Sequence, residues 1–352
     1  MSVMHTDTRQ SALATAALIR IGELTNRTLV LPVAVFFPTS RCNSRCVSCD
    51  WWKATGERDL TRDEIAAVAE GLADLGTRIV LFSGGEPLLR PDVFEIAALF
   101  RRRGIELHLH TSAVLLERHA QHVAEAFARV IVSLDSPDEE GYRAIRGVAA
   151  LPAIERGVAK LRGLKPDLPV SVRSTLHKLN FRDLPRLVAH AKAMSVDSIS
   201  FLAADMSSGA FGRASDHDCR SLALGRDEIV EFADIVERTI AERYDDFASG
   251  FVAESPAKLR RLPQYYAAVA GLAAFPPVEC NAPYMSVVIE ADGAVRPCFF
   301  HEPVGSLRET SLKRLVQQNL PAFRATLAIG ENPVCERCVC SMRTTWRSAP
   351  WL

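Results

Sequence analysis

The 352-residue sequence predicts an α/β protein: a partial (β/α)6 barrel with a small C-terminal β-hairpin plus cysteine-knuckle extension. Three observations predict it. Short apolar or alternating runs of strand type alternate with helix-patterned segments six times. Nine cysteines fall in two groups near opposite ends, with Cys219 alone between them. Late in the chain, two alternating runs meet at Asp292-Gly293, a strong hairpin signal. Repeated β-α units imply parallel strands with right-handed crossovers, and six units exceed what one small open sheet requires.

The strand runs are Val33–Phe37, Arg78–Phe82, Ile105–His110, Arg129–Leu134, Val170–Leu176 and Ser198–Leu202. Helix periodicity covers Thr61–Leu75, Pro91–Arg103, Leu115–Ala126, Pro152–Leu164 and Asp183–Met194, and resumes at Arg226–Arg243. Thr61 and Glu64 have the spacing of a capping box. Several strands alternate where doubly buried parallel strands would be apolar throughout. Ser133 with Asp135, Ser171 with Arg173 and Thr175, and Ser198 with Ser200 each share a face, so polar faces could line a lumen. The polar stretch after Asp205, running to Cys219, is a candidate lid or substrate loop. The predicted division is an N-terminal helical extension over 1–30, a partial barrel over 31–250, a helical linker over 251–277 and a cysteine domain over 278–352.

Forty-two basic residues balance forty-two acidic ones, and 48% of the chain is hydrophobic. That composition excludes a disordered chain and gives no general drive toward nucleic acid or an anionic membrane. The longest early apolar run, Leu29–Phe37, is far short of a bilayer span. The polar first ten residues show no signal-peptide pattern, so a cytoplasmic location is expected. In a reducing cytosol the cysteines suit metal ligation better than disulfides.

Cys42, Cys46 and Cys49 form C-x3-C-x2-C on the loop after the first strand. Soft thiolates select iron–sulfur clusters, zinc or Cu(I). Three thiolates leave one iron of a four-iron cluster without a protein donor, free for a small molecule. The loop, together with Ser83-Gly84-Gly85-Glu86-Pro87 after the second strand and Ser133-Leu134-Asp135-Ser136 followed by Tyr142, Ile145, Arg146 and Gly147, resembles the radical S-adenosylmethionine (radical SAM) superfamily. The resemblance implies a TIM-like partial barrel and a 4Fe-4S cluster on Cys42, Cys46 and Cys49. It also implies S-adenosylmethionine bound by Gly84, Gly85, Glu86, Ser133 and Asp135. Arg173, on the lumen face of its strand, could pair a carboxylate of S-adenosylmethionine or of substrate, or form a structural salt bridge. Ser48 stands where relatives often carry an aromatic residue at adenine, with Trp51 and Trp52 close by. Thr111 carries over from a Thr-Asn-Gly element that reads Thr111-Ser112-Ala113 here.

Cys280 and Cys298 bracket the hairpin, whose closure brings its ends together, and Cys335-x2-Cys338 adds two thiols from a tight knuckle. Four thiolates match a tetrahedral zinc or a closed iron–sulfur cluster, and spacing alone does not separate these. The pattern C-x(9–15)-G-x4-C followed by C-x2-C is similar to the SPASM and shortened twitch extensions of radical SAM enzymes. This implies an auxiliary 4Fe-4S cluster on Cys280, Cys298, Cys335 and Cys338, with Cys340 a spare thiol, substitute ligand or packed side chain. His301 is a candidate neighbour of that cluster, Cys219 reads as an incidental thiol, and Tyr265 and Tyr266 as packing.

The resemblance implies an oxidoreductase in which a 5′-deoxyadenosyl radical abstracts hydrogen from a small-molecule substrate. An electron then passes to the auxiliary cluster, and a flavodoxin- or ferredoxin-type protein is the external reductant. A peptide maturase is the second reading. A non-enzymatic metal-binding or electron-transfer protein, which would cleave no S-adenosylmethionine, is the third.

Overall fold

The computed structural model describes residues 3–213 and 219–345. Six strands, β1 (Val33–Phe36), β2 (Ile79–Phe82), β3 (Glu106–Thr111), β4 (Arg129–Ser133), β5 (Val170–Leu176) and β6 (Ser198–Ala203), lie side by side in chain order. Every adjacent pair is parallel. Helix α1 (Val3–Thr25) precedes them. The crossovers carry α2 (Arg62–Asp74), α3 (Val93–Arg101), α4 (Leu116–Ala126), α5 (Glu139–Arg146), α6 (Leu151–Leu164) and α7 (Leu184–Ala193). The sheet is open, as a partial barrel requires. Helix α2 begins on the expected capping box, Thr61 and Glu64 each bonding the other's backbone N–H.

The strands are half-buried in strict alternation where the sequence alternates. In β5, Val170, Val172, Ser174 and Leu176 are buried, while Ser171, Arg173 and Thr175 face the other way and stay partly accessible. The buried faces meet the helices in the main core, where the rings of Phe36, Phe82, Phe100 and Phe127 interlock at 5.4–5.6 Å in edge-on and tilted pairs. The opposite face forms the concave interior, polar over β3 to β6. Over β1 and β2 it is closed by a small apolar cluster of Val35, Phe37, Val288 and Ala291.

Two features differ from the sequence reading. The C-terminal hairpin is not a free-standing extension. Its first strand, β7 (Ser286–Ile289), pairs parallel with β1, and β8 (Ala294–Arg296) and β9 (Gly305–Ser306) follow antiparallel, giving one nine-stranded sheet in the order 6-5-4-3-2-1-7-8-9. All four residues of β7 are buried, and an apolar strand of that kind finds cover on both faces only inside a larger sheet. The second difference is α5. Its eight residues start on Asp138, whose side chain accepts from the Gly141 N–H at 2.9 Å, and end on Gly147 at φ +68°.

After β6 come α8 (Arg226–Glu242), α9 (Tyr244–Ala248) and α10 (Pro256–Val269). Helix α10 lies against β6 and α8 with Tyr265 and Tyr266 buried, and the Tyr266 hydroxyl donates to the Leu176 carbonyl at 2.6 Å. The expected lid loop is described as far as Arg213; residues 214–218 of that expectation lie outside the described residues, as do 346–352 of the cysteine domain. Among the described residues no helix is long and apolar enough to cross a membrane.

Candidate metal and cofactor site

The first cysteine loop leaves β1 at Phe37 and is gripped by three other segments. The Gly84-Gly85-Glu86 turn after β2 packs directly on it: Glu86 N–H donates to the Arg41 carbonyl at 2.8 Å and Gly85 N–H to that of Thr39 at 3.3 Å. Both glycines are required by this approach. A Cβ on Gly85 would sit 2.1 Å from the Arg41 carbonyl oxygen, and Gly84, at φ +99°, would drive one into Phe37 at 2.6 Å. The second grip is the C-terminus of α5, where the carbonyls of Ile145 and Arg146 accept from Val47 and Arg45 N–H at 3.0 and 2.8 Å. Gly147 allows this contact, since a Cβ there would meet the Arg45 carbonyl at 2.7 Å. The third is the loop after β6: the Phe211 carbonyl accepts from Asp50 N–H at 2.9 Å, and Arg213 donates to the Ser48 carbonyl at 2.8 Å.

These grips bring Cys42, Cys46 and Cys49 within electrostatic reach of one another. Burial pushes the Cys42 thiol up to about 11 and Cys49 to about 12, and neighbouring sulfurs add to both. Cys46 is also raised by burial, with the Arg146 guanidinium working against the rise. Buried thiols of this kind ionise only with a compensating cation, which is what a thiolate–metal site provides. The surroundings fit a bound group as well: the Ser44 and Tyr142 hydroxyls are buried without a hydrogen-bond partner. Tyr142 lies close enough to feel the charges of Arg146, Asp135, Cys46 and Glu86. Among the described residues no three His, Cys, Asp or Glu side chains converge closely enough to hold a single metal ion.

Polar side chains gather beside these sulfurs at the C-terminal ends of β2 to β5. Glu86 is fully buried, and burial raises its pKa despite four donors: Thr111 Oγ1 at 2.7 Å and Leu88 N–H at 3.1 Å on one oxygen, Ser112 N–H and Oγ at 2.7 Å on the other. Every acceptor site of the carboxylate is therefore in use. Ser112 can turn away, because Asn43 Oδ1 offers its hydroxyl a second acceptor at 3.2 Å. Ser133 Oγ lies 3.2 Å from His110 Nε2. Burial, followed by the charges of Arg173 and Arg146, lowers His110 to about 3, so its ring is neutral. Arg173 bonds Ser200 Oγ through Nε at 3.2 Å. Asp135 points to protein instead, meeting Arg146 Nε at 2.6 Å and the Thr175 N–H at 2.7 Å.

Trp51 packs edge-on against Phe37 at 5.7 Å and against Gly212, while Trp52 lies outside beneath Arg45 and Lys53. His108 sits at the opposite end of β3, paired with Glu106 at 2.8 Å. Cys219 is buried.

In the second sulfur group, Cys280, Cys298, Cys335 and Cys338 line one recess, shared with Phe300 and His301. Asn332 builds the knuckle, its Oδ1 accepting from Val334 and Cys335 N–H at 3.0 and 3.3 Å. Burial raises Cys298 to about 11 and Cys335 to about 12, and it raises Cys280 too. Cys338 goes the other way, lowered by the neighbouring Cys340 thiol, which is itself raised by Cys338 and by burial. His301 is buried, with Nε2 3.2 Å from Cys335 Sγ. None of the nine cysteines forms a disulfide.

Residues 205–213 connect the two sulfur groups. Asp205 and Arg213 form a 2.9 Å ion pair that is almost wholly buried; Arg213 holds the Ser48 carbonyl, and the Asp205 charge reaches Cys338. Phe211, whose carbonyl accepts from Cys49 Sγ at 3.4 Å, stacks on Phe299 at 6.4 Å and meets Phe300 edge-on. The sequence reading gave no role to Arg146, Ser112 or the Asp205–Arg213 pair. Only Arg146 had a signal, its place in the Tyr142–Gly147 motif.

Comparison with known proteins decides the family. Residues 36–191 match the family model of the radical SAM superfamily, and residues 280–339 match that of the SPASM iron–sulfur cluster-binding domain, together more than half of the chain. The chain belongs to the radical SAM superfamily. Membership implies a 4Fe-4S cluster and S-adenosylmethionine, and the SPASM match implies auxiliary iron–sulfur chemistry at the C-terminal cysteines. Among curated relatives, the Fe-coproporphyrin III synthase of Methanosarcina barkeri is 33% identical over 177 residues, 48% of this chain and 43% of that protein. The GTP 3′,8-cyclase of Marinobacter nauticus is 32% identical over 210 residues, 57% of this chain and 60% of that one. The matches thus span about half the length of the curated relatives. The radical SAM fold is shared with SuiB of Streptococcus suis, solved with its precursor peptide SuiA, at TM-score 0.64 and 13% identity over 94% of this chain and 78% of that one.

Proposed function

We propose that this chain is a radical SAM oxidoreductase acting on a small-molecule substrate, with the C-terminal cluster receiving the substrate's electron. The observation that carries the reading is the linkage just described, in which one loop, Asp205 to Arg213, contacts both the three-sulfur and the four-sulfur site. In this reading Cys42, Cys46 and Cys49 hold the first cluster, and Cys280, Cys298, Cys335 and Cys338 the second. Bound on three thiolates, a 4Fe-4S cluster supplies one electron for reductive cleavage of S-adenosylmethionine to methionine and a 5′-deoxyadenosyl radical.

The chain's own part is to bind, orient and exclude water. Glu86 accepts the methionine ammonium once the Ser112 hydroxyl swings to Asn43, and the Gly84-Gly85 backbone borders the same position. Arg173, with Ser133 beside it, takes the methionine carboxylate. Asp135 acts one step back by holding Arg146. The apolar cluster of Val35, Phe37 and Val288 keeps water from the inner wall, as radical chemistry requires. Four thiolates around the second recess leave no iron open to substrate, which favours electron relay over substrate binding.

Small-molecule chemistry is preferred because the relatives above 30% identity are named for a porphyrin and a nucleotide. The peptide-bound neighbour is alike in fold alone. A flavodoxin- or ferredoxin-type reductant and a cytoplasmic location complete the proposal, both suited to thiols that carry no disulfide.

Anaerobic reconstitution followed by iron and sulfide counting and a 5′-deoxyadenosine assay tests it. About eight irons per chain with reductive cleavage is expected, four per cluster. A single zinc with no cleavage would sink the reading, and a product found on a peptide would replace the substrate class.

A further inference from the structure

We propose that Arg146 sets the reduction potential of the cluster held by Cys42, Cys46 and Cys49, raising it by donating a hydrogen bond and presenting positive charge to the Cys46 sulfur. This deepens the proposed function and rests on its assignment of those three sulfurs to a cluster that binds S-adenosylmethionine.

The geometry singles Arg146 out. Its Nη1 lies 3.6 Å from Cys46 Sγ, within hydrogen-bond range of sulfur. Among the described residues no other side chain donates to the three sulfurs: Cys42 accepts from the Ser44 backbone N–H, and Cys49 itself donates to the Phe211 carbonyl. Both ends of Arg146 are fixed. Its carbonyl accepts from Arg45 N–H inside the cysteine loop, and its Nε is held 2.6 Å from Asp135. Asp135 is anchored in turn by the Thr175 N–H, and its own carbonyl accepts from Asn180 Nδ2 at 2.8 Å. A mobile surface arginine would lose its effect to solvent and side-chain entropy, but this one is enclosed and aimed.

The charge arithmetic has a definite sign. Burial works against the guanidinium's charge, yet the carboxylate of Asp135 and then the Cys46 sulfur more than offset it, so Arg146 stays protonated. Although the ion pair is neutral as a whole, Cys46 feels the guanidinium more strongly than the carboxylate. A one-electron reduction adds negative charge to the cluster. A cationic donor on a ligand sulfur stabilises the reduced state more than the oxidised one and makes the potential less negative. Asp135 is therefore a positioning residue. The unpartnered Tyr142 hydroxyl on the same helix face marks this as a polar wall built toward the sulfurs.

The test is an EPR-monitored redox titration of the anaerobically reconstituted full-length protein, following the signal that changes when S-adenosylmethionine is added. Arg146→Met should lower the reduced-to-oxidised ratio at a fixed potential about tenfold, ~59 mV for a one-electron couple. Arg146→Lys, which keeps the charge, should lower it less. The auxiliary cluster's midpoint serves as internal control and should not move. A variant with wild-type iron content whose responsive signal titrates at the wild-type midpoint overturns the inference alone. Should Arg146→Met hold no cluster, Arg146→Gln decides by the same criterion. A wild-type protein with no signal responsive to S-adenosylmethionine takes down the proposed function and the inference together.

Discussion

The two sulfur sites differ in how they are built. The N-terminal loop has three cysteines within eight residues, and its shape comes from elsewhere: a glycine turn, a helix C-terminus and the loop after β6 each pin its backbone. The C-terminal recess draws its sulfurs from both ends of a hairpin and from a knuckle, and its shape is largely local, through Asn332 and the β7–β8 turn. A three-thiolate site held by distant segments keeps a coordination position open beside a polar pocket. A four-thiolate site that folds around itself closes. In the proposed function, donor number and the source of rigidity are what separate a site for chemistry from a site for electrons.

Replacing Cys42, Cys46 and Cys49 by Ala should abolish reductive cleavage of S-adenosylmethionine and remove about four irons per chain. Any 5′-deoxyadenosine above background in a liquid-chromatography assay would break the comparison at its root. Cys335→Ala should also cost about four irons, yet leave reductive cleavage in place while product formation fails, so that 5′-deoxyadenosine accumulates without product. Equal loss of both activities would mean that the recess supports the first site structurally.

Gly85→Ala should destabilise the protein by about 3 kcal/mol, through the clash with the Arg41 carbonyl oxygen, and lower the melting temperature. Gly250→Ala, where no atom lies within 4 Å but φ is +77°, should cost less.

The smallest effect concerns the apoprotein. With the Cys338 thiol lowered by its Cys340 neighbour and the Cys298 thiol raised by burial, iodoacetamide should label Cys338 before Cys298, as read by peptide mass spectrometry. Cys340→Ala, by removing that neighbour, should slow that labelling.

Much of this architecture was legible in the sequence because its signals are local. β5 matches its predicted limits, the other five barrel strands do so within one or two residues, and the hairpin turns at Gly293 as the Asp-Gly pair predicts. The polar faces of β4 to β6 followed from period-2 alternation. Helix α5 escaped although Asp138 and Gly147 mark its ends, because it is only eight residues long and buries just Tyr142 and Ile145. The pairing of β7 with β1 had no local sign at all, since the neighbour of an interior strand is chosen by burial across the sheet. Within the site, the close packing of Gly84 and Gly85 on the cysteine loop had no local sign, because it depends on where the fold places Phe37 and Arg41. Arg146 stood in the Tyr142–Gly147 motif without a role, and only the fold brings it to a sulfur.

The pairing of Val33–Phe36 with Ser286–Ile289 has a consequence for biosynthesis. During translation the first strand of the sheet waits with one flank uncovered until some 250 more residues have emerged, roughly ten to fifty seconds at bacterial rates. Until then the wall beside the three thiols is still missing its seventh plank. Expression hosts that slow growth, and so leave nascent chains longer in this half-walled state, should yield protein that depends more on chaperones to reach its metal-ready form.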